Sequence, residues 1–243
     1  MKILGIIPSR FASTRFPGKP LVMINGVSMI QRVYNQAKKS SSLQKVIVAT
    51  DDERIYNHVK EFGGEVVMTS TDHPSGTDRC AEVLSNEKEK WDAVINIQGD
   101  EPFIDPLQID LLASLLQNNA MIATLVKKII SNEELLNPNT PKVVLDKNGN
   151  AVYFSRQPLP YYKGVEMNDW IKMIDYYKHI GLYGYRSDIL LQLTKLPVGT
   201  LEKAESLEQL RWLENGYAIS TAVTDIETIA IDTPADLERL NAM

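Results

Sequence analysis

Five short runs rich in Ile, Val and Ala punctuate the first half of the chain, at 3–7, 45–49, 65–68, 93–97 and 122–126. Most of each run is apolar without alternation, the pattern of a strand covered on both faces. Between them, apolar positions recur at helical spacing over 29–38, 52–62, 78–89 and 106–117. Strands alternating with amphipathic helices predict βαβ units: an α/β fold with a mostly parallel central sheet and helices on both faces. Right-handed crossovers set every strand-to-helix loop on one edge, and such sheets bind ligands outside the carboxyl ends of their strands. The chemistry is therefore sought just after each strand.

The second half is less regular. Strands are expected at 142–145, 152–154, 180–185 and 218–223, with the D-K-N-G-N segment 146–150 as a turn between the first two. That makes a smaller antiparallel excursion. Helical spacing returns at 187–194, 206–214 and 234–241. Thr233 fits the N-cap of the last helix, Pro234 its first position and Asp236 the capping-box acid. The stretch 158–178 reads as a loop, a flap or a partner-facing segment. One domain over 1–243 is expected at this length, with no internal repeat.

Composition removes several function classes. Twenty-six Lys and Arg stand against 31 Asp and Glu, a formal charge of -5, so the chain lacks the basic surplus of a general nucleic-acid binder. A local basic pocket for a small anion is still compatible with that charge. A single cysteine, Cys80, allows no intrachain disulfide and no thiolate metal cluster, and it reads as packing. The first apolar stretch is too short for a signal segment, and no run of eighteen apolar residues offers a membrane span. The cytoplasm is the expected location.

Three segments carry candidate chemistry. The first is 7–21, IPSRFASTRFPGKPL, directly after the first strand. Its cations, hydroxyls and Pro-Gly turn suit a polyphosphate cradle: Arg offers a planar fork, Lys a point charge, loop amides the rest. It matches neither the dinucleotide fingerprint nor the P-loop, and a surface loop with solvated cations is the plainer alternative. The second is 96–102, NIQGDEP, where Asp100 at a strand end suits a hard metal near phosphates. An aspartate bonded to nearby backbone is the competing account. The third is 229–232, where Asp232 either caps the next helix or joins Asp100 as a second carboxylate.

Other segments are weaker. The turn 72–79, DHPSGTDR, opens a helix with Thr77 as a plain N-cap, and its hydroxyls and amides can also read a base or ribose edge. Arg156 follows a strand and can grip a carboxylate bidentately, or make a surface ion pair. His179 and Tyr185 flank another strand; Glu208 and Gln209 sit on a helix whose solvated face is the simpler explanation. Three scattered histidines give no zinc motif, and no nucleophile elbow is present.

Together these segments, with ATDD at 49–52, YFSR at 153–156, HIGLY at 179–183, LEQLR at 207–211 and DTPADL at 232–237, resemble the 3-deoxy-manno-octulosonate (Kdo) cytidylyltransferase family, the CMP-Kdo synthetases, over essentially the whole chain. The resemblance implies a nucleotide-diphospho-sugar transferase-like fold, a homodimer, and the reaction of CTP with Kdo to CMP-Kdo and diphosphate. It implies a nucleotide-binding part at roughly 1–125 and a sugar-binding, dimer-contact part at roughly 126–225. It further implies a role in lipopolysaccharide synthesis in the cytoplasm of a Gram-negative bacterium.

By the same resemblance, Arg10, Lys19, Asp100 and Asp232 are catalytic, and Asp100 and Asp232 hold Mg2+. Nucleotide contacts fall to Pro8, Arg10, Ser13, Lys19, Ser75, Gly76 and Arg79. Gln98, Arg156, His179, Tyr185, Glu208 and Gln209 line the sugar pocket, with Arg156 facing the Kdo carboxylate. The chain departs from the pattern at Ser9, Lys178 and Ala230, without losing a site charge. A cytidylyltransferase for 8-amino-Kdo or a nonulosonic acid is the nearest rival. A metal-dependent glycosyltransferase would want a D-x-D near residue 100, which is absent, and a non-catalytic module leaves the polar clusters after the strands unexplained.

Overall fold

In the computed structural model, which describes residues 1–12, 16–227, 231, 236 and 237, the five apolar runs become β1 (Ile3–Ser9), β4 (Lys45–Thr50), β5 (Val66–Met68), β6 (Ala93–Asn96) and β7 (Ile122–Lys128). A two-strand ribbon that periodicity does not reveal, β2 (Met23–Ile24) and β3 (Val27–Ser28), precedes α1 (Met29–Ala37). Helices α2 (Glu53–Glu61), α3 (Gly76–Asn86) and α4 (Pro106–Gln117) follow β4, β5 and β6. Their starts are written in the sequence. Asp52 and Asp105 accept from backbone N–H groups two residues on, and Pro106 needs no donor at the first turn.

Helix α3 begins at Gly76 rather than 78, because Ser75 and not Thr77 is its N-cap. Both are hydroxyl residues, but only Ser75 has the extended backbone a cap requires; Thr77 lies inside the first turn.

The second half adds α5 (Asn132–Leu136), β8 (Lys142–Leu145), β9 (Ala151–Ser155), α6 (Trp170–Met173), β10 (Tyr177–Arg186), α7 (Ser187–Leu193), α8 (Thr200–Glu205), α9 (Gln209–Glu214) and β11 (Ile219–Val223). The expected hairpin at 146–150 joins β8 to β9. The expected helix over 206–214 starts only at Gln209: Ser206 is left-handed at φ 53 and separates α8 from α9. His179 and Tyr185 lie inside β10 rather than flanking it. The stretch 158–178 is not a bare loop, since Trp170 and Tyr176 are buried with Ile129 and Leu135 in a satellite core. The helix expected at 234–241 falls largely outside the described residues.

The main sheet runs β11-β7-β10-β6-β1-β4-β5, with β8 and β9 attached beside β10. Every pair in that path is parallel except the two made by β10, which is inserted in reverse between β6 and β7. One apolar layer packs the sheet against α1, α2 and α4, the other against α3, α7 and α9. Reversal places the beginning of β10 at the carboxyl edge of its parallel neighbours, so His179 rises beside the loops that carry ligand chemistry. Between Ile180 and Tyr183 the strand bulges, and the Thr124 hydroxyl plugs the bulge against the carbonyls of Ile180 and Leu182 at 3.2 and 2.8 Å. Cys80 is buried and burial pushes its thiol pKa well up, as a packing residue requires.

Candidate active site

The basic connection after β1 is folded back on itself. Gly18 takes φ 71 and donates its N–H to Phe11 O at 2.9 Å, while the Arg54 guanidinium lies 3.3 Å from the Phe11 ring centre. The turn delivers Lys19 at the head of a short 3-10 helix, Lys19–Leu21, with its side chain buried and its ammonium 2.7 Å from Asp100 Oδ2. Asp100 reaches this point because Gly99 presses onto the end of β1; a Cβ there would lie 2.9 Å from Pro8 O. The Asp100 carbonyl accepts the Ile231 N–H at 3.1 Å.

The opposite wall is the start of α3. Glu82 accepts from Ser70 N at 2.9 Å and from His73 Nε2, tying the loop before the helix to the helix itself. Arg79 is buried and spans to Asp51 at 2.8 Å and to the Thr69 hydroxyl, bracing the ends of β4 and β5 from beneath. Between the two walls opens a cleft of about 240 Å3. Pro8, Arg10, Lys19, Ser75, Gly76, Arg79, Gln98 and Asp100 all line it, so the structure brings together eight sequence-predicted residues. It adds Ser9, Pro20, His73 and Gly99, which lie within the same motifs but carried no role by residue type alone. Ser13 and Asp232 lie outside the described residues.

A second polar region adjoins the α3 wall. Thr77 donates to Glu208 Oε2 at 2.8 Å, and Ser75 Oγ lies 3.0 Å from Glu208 Oε1. Burial pushes the Glu208 carboxyl pKa up, against the hydrogen bonds from Thr77 and Ser75. Burial also raises the Tyr183 and Tyr185 phenols, so both stay protonated. His179 Nε2 is 3.0 Å from Thr124 Oγ1, and its ring packs edge-on to Phe154 and 5.0 Å from Tyr183. Burial lowers its pKa to about 3 and keeps it neutral. Thr124 spends its proton on a bulge carbonyl, so His179 Nε2 is the donor and Nδ1 remains an acceptor.

Among the described residues, Ser9 Oγ, Asn96 Oδ1, Tyr183 OH and Gln209 Nε2 are buried with no hydrogen-bond partner. Such orphaned groups are rare inside proteins; of the four, Ser9 lines the cleft itself. Gln98 stands between the two regions, its Cγ 3.6 Å from where a Cβ on Gly181 would lie in the bulge.

Arg156 behaves differently. It does not line the cleft, and its guanidinium donates to the carbonyls of Glu205, Pro138 and Ser206 at 2.6, 3.0 and 3.3 Å. It clamps the α8–α9 turn that presents Glu208, and the five donors of a guanidinium exceed these three bonds.

A divalent metal fits the donors that are described. Asp100 is a hard oxygen ligand, partly exposed to the cleft and already drawing a cation to itself. Mg2+ takes one or two carboxylates and completes its shell with phosphate and water oxygens, a demand that Asp100 meets in part.

Cations and amides for a chain of phosphates, with one carboxylate set among them, are what nucleotidyl transfer requires, and the fold is that of nucleotidyltransferases. A cytidylyltransferase family model matches residues 4–227. The 3-deoxy-manno-octulosonate cytidylyltransferase of Cytophaga hutchinsonii is 56% identical over 241 residues, 99% of this chain and 96% of that protein. That of Parabacteroides distasonis is 56% identical over 244 residues, covering 98% and 96%. Among solved structures, CMP:2-keto-3-deoxy-manno-octonic acid synthetase complexed with CTP superposes with a TM-score of 0.92 at 42% identity, over 100% of this chain and 98% of that one. The chain belongs to the 3-deoxy-manno-octulosonate cytidylyltransferase family.

Proposed function

We propose that the protein joins CTP and Kdo into CMP-Kdo and diphosphate. The observation that carries this reading is Ser75, which lines the cleft proposed for the triphosphate and also lies 3.0 Å from Glu208 in the polar region proposed for the acid sugar. The anomeric hydroxyl of Kdo attacks the α-phosphorus in line. A new P–O bond forms to the sugar, the bond to the β-phosphate bridging oxygen breaks, and diphosphate leaves while the hydroxyl proton passes to water.

The chain's own residues bind and orient. Arg10 and Lys19 neutralise the phosphates and the charge that grows on the leaving group. Ser75 and Gly76 present the start of α3 to the nucleotide. His179, Tyr185, Glu208 and Gln209 position the sugar hydroxyls, Gln98 stands at the junction, and Arg156 offers the sugar carboxylate the guanidinium N–H groups left over from its three carbonyl bonds. Asp100, with Asp232, would hold Mg2+, whose chemistry is to lower the pKa of the attacking hydroxyl and offset negative charge at phosphorus.

Pairing of two copies through the second half of the chain, a cytoplasmic location and supply of activated Kdo for lipopolysaccharide belong to the same proposal. Among the described residues no helix is long and apolar enough to cross a membrane. The deciding experiment is diphosphate release by purified protein with CTP, Mg2+ and Kdo. Kdo-dependent release abolished by EDTA is expected. Preference for 8-amino-Kdo or a nonulosonic acid would move the assignment to the neighbouring specificity, and no release with any acid sugar would overturn it.

A further inference from the structure

Lys19 and Asp100 come from loops 81 positions apart, yet meet at 2.7 Å with the lysine side chain only 11% exposed. The carboxylate cannot easily retreat. Gly99 is pressed against Pro8 O, and the Asp100 carbonyl is held by Ile231 N–H. The ammonium can move: it ends a four-carbon stem whose backbone is fixed by Lys19 N–H to Phe16 O at 3.2 Å and by Val22 N–H to Lys19 O at 3.1 Å.

We propose that Lys19 is an internal stand-in for the metal: its ammonium neutralises Asp100 until nucleotide arrives, and the triphosphate, by drawing Lys19 to itself, releases Asp100 to a divalent cation. The inference rests on the Mg2+ reading above. Two cations compete for one carboxylate, so apo protein binds metal weakly. A triphosphate offers Lys19 a stronger partner than one carboxylate. Linkage then makes metal and nucleotide tighten one another, with Lys19 as the coupling element. A site lysine that merely fixes phosphate would leave metal binding in the absence of nucleotide unchanged.

The test is Mn2+ binding, followed by electron paramagnetic resonance of free Mn2+ and by water-proton relaxation, which separates protein-bound Mn2+ from Mn2+ held by CTP alone. Without nucleotide, Lys19→Gln is expected to bind Mn2+ about tenfold more tightly than the parent, the size of one ion pair in a partly screened site. Lys19→Arg, which keeps the cation, should bind like the parent. Adding Asp100→Asn to Lys19→Gln should erase the gain, and thermal melts confirm that each variant is folded. Equal or weaker Mn2+ binding by folded Lys19→Gln overturns the exchange. If the parent still takes up Mn2+ with CTP, the metal reading survives that result. Absence of protein-bound Mn2+ in the parent with both CTP and Kdo overturns both.

Discussion

Thr124 Oγ1 lies 3.0 Å from His179 Nε2 and 2.8 Å from the carbonyl of Leu182, so one hydroxyl closes the bulge of β10 and sets the tautomer of His179. Thr124→Val keeps the shape and removes these two contacts together with the one to the Ile180 carbonyl. Leaving buried polar groups unpaired should cost about 1–3 kcal/mol in urea denaturation. The KM for Kdo should rise more than that for CTP. An equal rise for both would mean that the bulge does not serve the sugar side.

His179 makes stability depend on pH in one direction. Its pKa is about 3 in the fold against 6.5 for a free histidine. Below 6.5 the unfolded chain takes up a proton that the folded chain refuses, so stability is complete above 6.5 and declines as pH falls toward 3. The slope is at most about 1.4 kcal/mol per pH unit, or about 2 kcal/mol by pH 5. Urea titrations at pH 8 and pH 5 should show this loss in the parent. His179→Gln should lose less over the same interval.

Lys178 is one of the three positions at which the chain departs from the pattern it resembles. Here its ammonium bonds Glu134 and, at 2.6 Å, Glu227, tying β10 to α5 and to the segment after β11. Burial alone would lower its pKa, but the two glutamates hold it above its usual value. Lys178→Met would leave those carboxylates without their shared cation and should destabilise by about 1–3 kcal/mol, less than a fully buried pair because Glu227 is half exposed. Lys178→Arg should recover most of it in the same thermal or urea measurement.

Asp100→Asn preserves size and removes the charge that faces Lys19. It should lower turnover by about 10²-fold or more at saturating substrates, if the carboxylate organises the metal. Unchanged turnover at high Mg2+ would remove Asp100 from the catalytic set.

Arg156→Ala should weaken Kdo use more than CTP use. Because Arg156 also clamps the α8–α9 turn through three carbonyls, part of its effect arises from a displaced Glu208. Arg156→Lys keeps charge but not the fork, so it should restore little. Steady-state kinetics with each substrate varied in turn separates the two contributions.

The strands were legible because both faces are covered, leaving unbroken apolar runs such as those of β1 and β4. The direction of β10 was not, since alternation along Tyr177–Arg186 is the same read either way. The lining of the cleft was legible because its residues are close together in the segments 7–21, 72–79 and 96–102. Ser75 and Thr77 are both hydroxyl residues that reach Glu208, and only backbone geometry shows that Ser75 is also the cap. The carbonyl partners of Arg156 leave no trace in sequence, because any residue supplies a carbonyl. His73 gave no signal by type; its importance comes from Glu82, nine positions away on the other side of a helix start.

Glu208, contacted by Ser75 and Thr77, makes the first turn of α3 a party wall between two rooms. Under the proposed function, a nucleotide leaning on one side would bear on the same turn that faces the sugar on the other, so the two substrates would share a wall rather than occupy independent compartments.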